Sequence, residues 1–498
     1  MIKPFRRVFF WSLVALFLFS APLVVFYALG YRYHADRGIF VYTGSITVKS
    51  NPTTNIGIQL NGEDVSAEAS SLNRSFTVGG LRPGKYRIDV SAPGFSSWSK
   101  EAIVSSGVST EFWNVVLARD LYDENHFSLP EGSVYIFPSP KADRIAVLVF
   151  RDGEVILDIL DRNTGNMTQI FSSRDFIINN ESTLPQSVSW SNRNENLLLV
   201  RLLEKKSNIP TAFLVHADTM ETTNIRDVSG LDRIDDVRWS PSRNSLVVLS
   251  GITLFEMDIS APWGKTHLAD NIESFDFFDT DIAVLDFGTS TLSFFPVSRP
   301  ESRTQITTVS PSGFNGTSPE SLNRYAVISY DRTRIALLNR STGDCFLWNS
   351  GETTESFSRL SSEARGLQFS DDGKKVLYWT DWEIFSFFTR KWEVQPARAE
   401  GDRVDVGRFS EPIRNVQWSK DYEHVLFSSG DTILMTELDG RGGRNLSAIL
   451  HLPGEPEQMA TFTSDNLLFS LYPAEDKKSS SLSEITFPEP AGFFGIGG

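Results

Sequence analysis

The chain has 498 residues, enough for two or three domains with substantial cores, and its 40% hydrophobic and 22% charged content excludes a disordered polymer. Its 37 Phe, 34 Gly and 23 Pro favour many short strands and turns over long helices. Of the formal net charge of −15, residues 1–42 hold +4 and residues 43–120 none, which leaves −19 on the rest; so acidic a body, with no Lys/Arg stripe, excludes nucleic acid as a partner.

The first element is the uncharged run from Val8 to Tyr31, built of Phe, Leu, Val, Ala and Trp. At about 1.5 Å per residue it is long enough for a hydrocarbon core of about 30 Å, so residues 8–31 are expected to form a transmembrane helix. Lys3, Arg6 and Arg7 precede it and predict that residues 1–7 stay in the cytoplasm, with the bulk of the chain outside. Trp11 at one end and Tyr27, Tyr31 and Tyr33 at the other suit the two membrane interfaces. A cleaved signal peptide is the competing reading. The run is longer than such a region, and Gly30-Tyr-Arg-Tyr33 offers no small-x-small cleavage site. The expected arrangement is therefore a single-pass anchor in the cell membrane, held by the lipid bilayer, followed by a linker over 32–42.

From residue 43 to 119 the apolar positions alternate: Ile46 and Val48, then Ile56, Ile58 and Leu60, then Tyr86, Ile88 and Val90. Each run predicts a half-buried strand. Asn61-Gly62 suits a type I′ hairpin, and Pro83-Gly84 and Pro93-Gly94 suit type II turns with Gly at positive φ. Five or six such strands make a small β-sandwich. The run Gly44-Ser-Ile-Thr-Val-Lys-Ser-Asn-Pro52, then Leu60-Asn-Gly62, Gly80-Leu-Arg-Pro-Gly-Lys-Tyr86, Ala92-Pro-Gly-Phe95 with Trp98, and Phe112 to Leu117 resemble the PEGA domain. The family's Pro-Glu-Gly-Ala is replaced here by Pro52-Thr-Thr-Asn-Ile-Gly57. The resemblance implies an exported, surface-located, non-catalytic spacer or interaction module of bacteria and archaea.

Residues 120–490 carry a repeat: an apolar residue, a variable one, an aromatic, Ser, a polar turn and an apolar strand. Clear copies are Val188-Ser-Trp-Ser191, Val237-Arg-Trp-Ser240, Leu367-Gln-Phe-Ser370 and Val416-Gln-Trp-Ser419. Weaker ones bring the registered positions to 138, 190, 239, 277, 328, 369, 418 and 462, about 46 residues apart on average, the length of one four-stranded propeller blade. Phe369-Ser-Asp-Asp-Gly373 and Trp239-Ser-Pro241 are similar to the WD40-like blades of the periplasmic TolB family. The expected fold is all-β: an N-terminal transmembrane helix, a PEGA-like β-sandwich, then a β-propeller of seven or eight blades, eight favoured. Residues 491–498 read as a loose tail.

Chemistry is sparse. The six His residues show no HExxH or HxH spacing, and there is no Cys pair, GxSxG, P-loop, GxGxxG or calcium loop. No catalytic residue, metal or cofactor is therefore expected. The single Cys345 reads as a small buried apolar residue. The carboxylate pairs Asp123-Glu124, Asp235-Asp236 and Asp371-Asp372 read as solvated turns. Trp379, Trp382 and Trp392 crowd one repeat with Phe385, Phe387 and Phe388, which suits inter-blade packing. Trp382, after Thr380-Asp381 at a turn, is the best candidate for an exposed ligand contact. The functional expectation is a non-enzymatic binding or scaffold protein of the bacterial envelope whose propeller meets another envelope protein or a surface polysaccharide. A propeller hydrolase or lyase acting on extracellular polysaccharide is the alternative.

Overall fold

The computed structural model describes residues 3–28, 30–34, 39–70, 73–178, 187–241, 243–260, 263–289, 291–307, 325–339, 341–352, 355–462, 464–474 and 479–488. The expected tail, 491–498, lies outside them. The first element is a helix over Lys3–Ala28, starting earlier than the expected span because Lys3, Arg6 and Arg7 are themselves good helix formers. It stops before Gly30, which at φ 90° turns the chain back so that its N–H meets Tyr27 O at 3.1 Å. The stretch Arg6–Tyr27 has a mean hydropathy of 2.4 and is long and apolar enough to cross a membrane.

The stretch expected as a linker is instead partly folded. Tyr31–His34 pairs antiparallel with Ile39–Tyr42. Period-two alternation puts aromatic rings on one side, where Tyr31 stacks on Tyr42 at 4.9 Å and Phe26 of the helix on Phe40 at 5.9 Å. Arg32 lies over the Tyr27 ring at 3.7 Å and donates to Tyr27 O at 2.8 Å.

Two four-stranded sheets follow. One has the order Ser109–Val116, Gly44–Asn51, Ser75–Leu81, Glu68–Ser70; the other, Glu63–Asp64, Gly57–Leu60, Gly84–Ser91, Trp98–Val104. Their inward residues, among them Ile46, Val48, Ile58, Leu60, Ile88, Val90 and Phe112, form one core shared by both sheets. Asn61 and Gly62 both have positive φ, as a type I′ hairpin requires, and Gly94 has φ 79°. Gly84 departs from expectation. It is not a turn residue at positive φ but the first residue of its strand, already extended and paired with Val104.

The remaining described residues form eight further sheets in succession. Seven run in chain order, each strand antiparallel to the one before, as in Ser133–Pro138, Arg144–Arg151, Glu154–Asp161 and Met167–Ser173. The second carries an extra strand, Phe176–Ile178, on the edge of Leu197–Glu204. The eighth takes three strands from the C-terminal part and its fourth, Asn125–Leu129, from ahead of the first sheet. Each sheet shares a buried core with the next. The eighth shares one with the first, where Phe469 and Leu482 meet Ile145 and Val147. The sheets therefore close into a ring, a β-propeller, which leaves no long unpaired edge.

The repeated residues have repeated jobs. The registered positions all fall on the first strand of a sheet. The Ser that follows is buried at 139, 191, 240, 370 and 419, and its N–H binds the carbonyl that opens the second strand at 2.8 or 2.9 Å. The Trp just before it reaches backwards. Trp190, Trp239 and Trp418 donate their indole N–H to Phe137 O, Ser189 O and Gln368 O of the preceding sheet at 2.7, 3.2 and 3.2 Å. Each such Trp fills the gap between two sheets and satisfies its one donor there.

Candidate functional site

A meander sends its first-to-second and third-to-fourth turns to one end of the ring, and its second-to-third turn to the other. The sandwich sits on the first of these ends, over the sixth to eighth sheets. Lys100 lies in the strand Trp98–Val104, in phase with Trp98, Ala102 and Val104, and is fully buried. Its ammonium is 2.8 Å from Glu437 Oε1 of the seventh sheet, and donates to the carbonyls of Asp439 and, at 2.6 Å, Gly443. Trp98 Nε1 donates to the other oxygen of Glu437 at 3.1 Å, and Asn445 N–H to Oε1 at 2.7 Å. The pair is desolvated, and its lone pairs and protons are taken up by these neighbours, as a buried ion pair requires.

Both edge strands of the sandwich that face the ring are capped by side-chain amides. Asn445 exchanges two hydrogen bonds with the backbone of Ser99, each 3.2 Å. Gln395 accepts from Glu111 N at 3.1 Å and donates to Ser109 O at 3.0 Å. An amide presents one donor and one acceptor, as an adjoining strand would, so these edges are closed. Arg441 adds a hydrogen bond to Glu111 O at 2.7 Å and lies 4.4 Å over the Phe112 ring. Gly442 admits this approach: at φ +61°, a Cβ there would stand 2.5 Å from the Glu101 backbone.

Beneath the sandwich, the first turn of the seventh sheet holds Asp421, Glu423 and His424. His424 Nδ1 is 2.6 Å from Asp421 Oδ2. Burial opposes charge on this His, but Asp421, backed by Glu437 and Glu423, outweighs it and raises its pKa above the ordinary 6.5. Burial likewise opposes charge on Asp421, yet His424 and two backbone N–H groups hold its carboxyl below 3.8. Glu423 pairs with the buried Lys375, whose ammonium is 4.0 Å from the Trp392 ring.

Between sandwich and ring lies a cleft of about 420 Å³, lined by Lys49, Arg74, Trp113 and Asn114 on one side and Lys420, Asp421 and Asn466 on the other. A second hollow, of about 390 Å³, opens at the opposite end of the ring among Val134, Tyr135, Phe150, Ile177, Ile178 and Glu457.

Trp382 lies at that opposite end too, in the turn after Lys375–Trp379, 44% exposed. Thr380 Oγ1 accepts from its N–H at 3.2 Å, and its carbonyl accepts from Phe409 N at 2.9 Å. It lines neither of these two hollows. Trp379, Trp392, Phe385, Phe387 and Phe388 all pack into the cores between neighbouring sheets. Cys345 is fully buried, and burial pushes its thiol up to about 12.

The carboxylate pairs divide. Asp371-Asp372 is a turn, where Asp372 accepts from Ser370 Oγ and Lys374 N. Asp235-Asp236 is not solvated as expected. Asp235 accepts from Arg233 and from Gly251 N at 2.7 Å, its side chain fully buried. Asp236 bridges Arg201 at 2.6 Å and Arg238 at 3.1 Å, and Arg238 continues to Asp276 at 2.5 Å. First strands crowd together around the axis, so polar side chains there bond across sheets rather than to water. Among the described residues no group of three His, Cys, Asp or Glu is placed to hold a metal ion.

The sequence reading passed over Lys100, Glu437, Asn445 and Arg441. One signal was available: a Lys in the apolar register of a strand has to find a carboxylate when that register is covered.

No family model matches the chain, and no curated protein matches it. Among solved structures, the chain is similar to the Dos1 propeller, with a TM-score of 0.48 and 10% identity over 74% of this chain and 95% of that one. It is also similar to the Cps50 (Swd1) β-propeller domain of Myceliophteria thermophila, at 0.40 and 13% over 73% and 100%. For Hsv2 of Kluyvelomyces marxianus the values are 0.38 and 9% over 64% and 98%. At such identities the likeness concerns the fold alone.

Proposed function

We propose that this chain is a membrane-anchored scaffold of the bacterial envelope, with its ring of eight WD40-like blades held outside the cell on a PEGA-type sandwich. On this reading the bilayer holds residues 8–31, residues 1–7 stay in the cytoplasm, and 43–119 and 120–490 are the two displayed domains. The carrying observation is the fastening of the sandwich to one end of the ring through Lys100, Glu437, Asn445 and Gln395. That contact supports reading this end as the anchor side and the other end, with Trp382 and the apolar hollow, as the face that meets an envelope protein or a surface polysaccharide.

One substitution tests topology and exposure together. Trp382→Cys supplies an accessible thiol, whereas Cys345 is buried with a thiol that resists ionisation. A membrane-impermeant maleimide added to intact spheroplasts is expected to label the variant and leave the parent protein unlabelled. Labelling only after lysis overturns the topology. A photo-crosslinking residue at the same position is expected to capture a specific envelope protein or glycan in native envelopes, and the absence of any adduct counts against the platform.

A further inference from the structure

The cleft between sandwich and ring is electropositive on a chain whose net charge is −15. Lys49, near the end of the strand Gly44–Asn51, and Arg74, in the turn just before Ser75–Leu81, have side chains with no ion pair or hydrogen bond among the described residues. Lys420, facing them from the ring, donates to the neutral Asn466 amide at 2.6 Å and forms no ion pair among the described residues. The one carboxylate in the lining, Asp421, is already matched by His424. Three cations thus share one concavity with no anion left to answer them. By contrast, Lys100 is matched by Glu437 across the interface, and Lys375 by Glu423 within the ring beneath it.

The cleft also has a flat wall. Trp113 is half-buried, and its indole N–H is held by Glu111 Oε2 at 2.7 Å, which pins the ring. At about 420 Å³ the volume falls within the roughly 300–1,000 Å³ of small-molecule sites. A bare anion would answer the cations but leave the indole unused, and a neutral sugar the reverse. An aromatic face beside a guanidinium and two ammonium groups suits a ring that is apolar on one face and carries a carboxylate at its rim.

We propose that this cleft binds an acidic saccharide, with a uronate-type ring against Trp113 and its carboxylate among Lys49, Arg74 and Lys420. This site lies at the opposite end of the ring from Trp382, so the proposal does not depend on the presented face, and either can fail alone.

The test uses the full chain in detergent micelles, with tri-galacturonate, maltotriose and inorganic phosphate as probes in calorimetry. Tri-galacturonate is expected to bind, more weakly as salt rises, and maltotriose and phosphate each at least about tenfold more weakly. In Lys49→Gln/Arg74→Gln, affinity for tri-galacturonate is expected to fall about tenfold or more with the Tm unchanged, because neither side chain supports the fold. Trp113→Ala is expected to remove the preference for tri-galacturonate over phosphate. No binding of tri-galacturonate, equal binding of phosphate, or full affinity in a folded double variant each overturns the proposal.

Discussion

His424 is almost wholly buried under the sandwich and faces Asp421, with Glu423 and Glu437 nearby. Its folded pKa lies above 6.5, so the stability it contributes is fully present below that pH and is lost as pH rises through the folded value. Asp421 lies below 3.8, so its contribution is present above that pH and disappears as pH falls through its own folded value. The pair supports the fold best between these limits. Thermal unfolding at about pH 6 and about pH 9 is expected to show the parent protein losing more stability than His424→Gln across that interval. Equal losses would show that the pair does not titrate as described. None of this was visible in the sequence, where His424 is only one of six His residues without metal-ligand spacing and Asp421 belongs to no motif. Their burial comes from a strand more than three hundred positions earlier, as the separation of Trp98 and Glu437 shows. The same holds for Asp236, which meets Arg201 only because the preceding sheet packs beside it, whereas Asp235 and Asp236 find Arg233 and Arg238 two residues away in the chain.

At the level of strands and sheets, much more was legible. The Trp-Ser pairs announced first strands because each residue performs a local job that recurs: Ser tightens the first turn, and Trp bonds the sheet behind it. Trp190 donates to Phe137 O at 2.7 Å from a buried position. Trp190→Phe keeps most of the apolar contact but leaves that carbonyl unpaired, which is expected to cost about 1–3 kcal/mol in denaturant unfolding. A cost near zero would mean that water replaces the indole. The weak repeats are those where the job is done differently. At the fourth and fifth sheets, Asp276 and Ser329 make the cross-sheet bonds, so no aromatic-Ser signature is needed there. Alternation likewise located the sandwich strands, whereas the aromatic pair around Tyr31 and Tyr42 was missed because each strand has only four residues.

At the scale of the whole molecule, paired side chains join the sandwich to the ring, Lys100 to Glu437 among them. Removing one partner of a buried ion pair typically costs about 3–5 kcal/mol, since the other charge stays behind. Lys100→Met is therefore expected to loosen the sandwich and speed protease cleavage in the connection over 117–124, whereas Lys100→Met/Glu437→Met recovers much of the resistance. Equal cleavage of parent and single variant would show that the apolar contacts of Val116, Ala118 and Tyr122 with the seventh and eighth sheets suffice. The ring's closure carries a different consequence. Asn125–Leu129 comes early, yet its partner Ser480–Thr486 follows far later in the chain, Asn125 and Glu484 being 359 positions apart. With residues 1–7 held in the cytoplasm and the chain beyond the anchor exported in sequence order, that strand would stay unmatched until its partner follows, its backbone donors and acceptors open to any passing edge. On the proposed anchoring, the bilayer would keep such half-made rings apart from one another until the closing strand arrives to finish the circle.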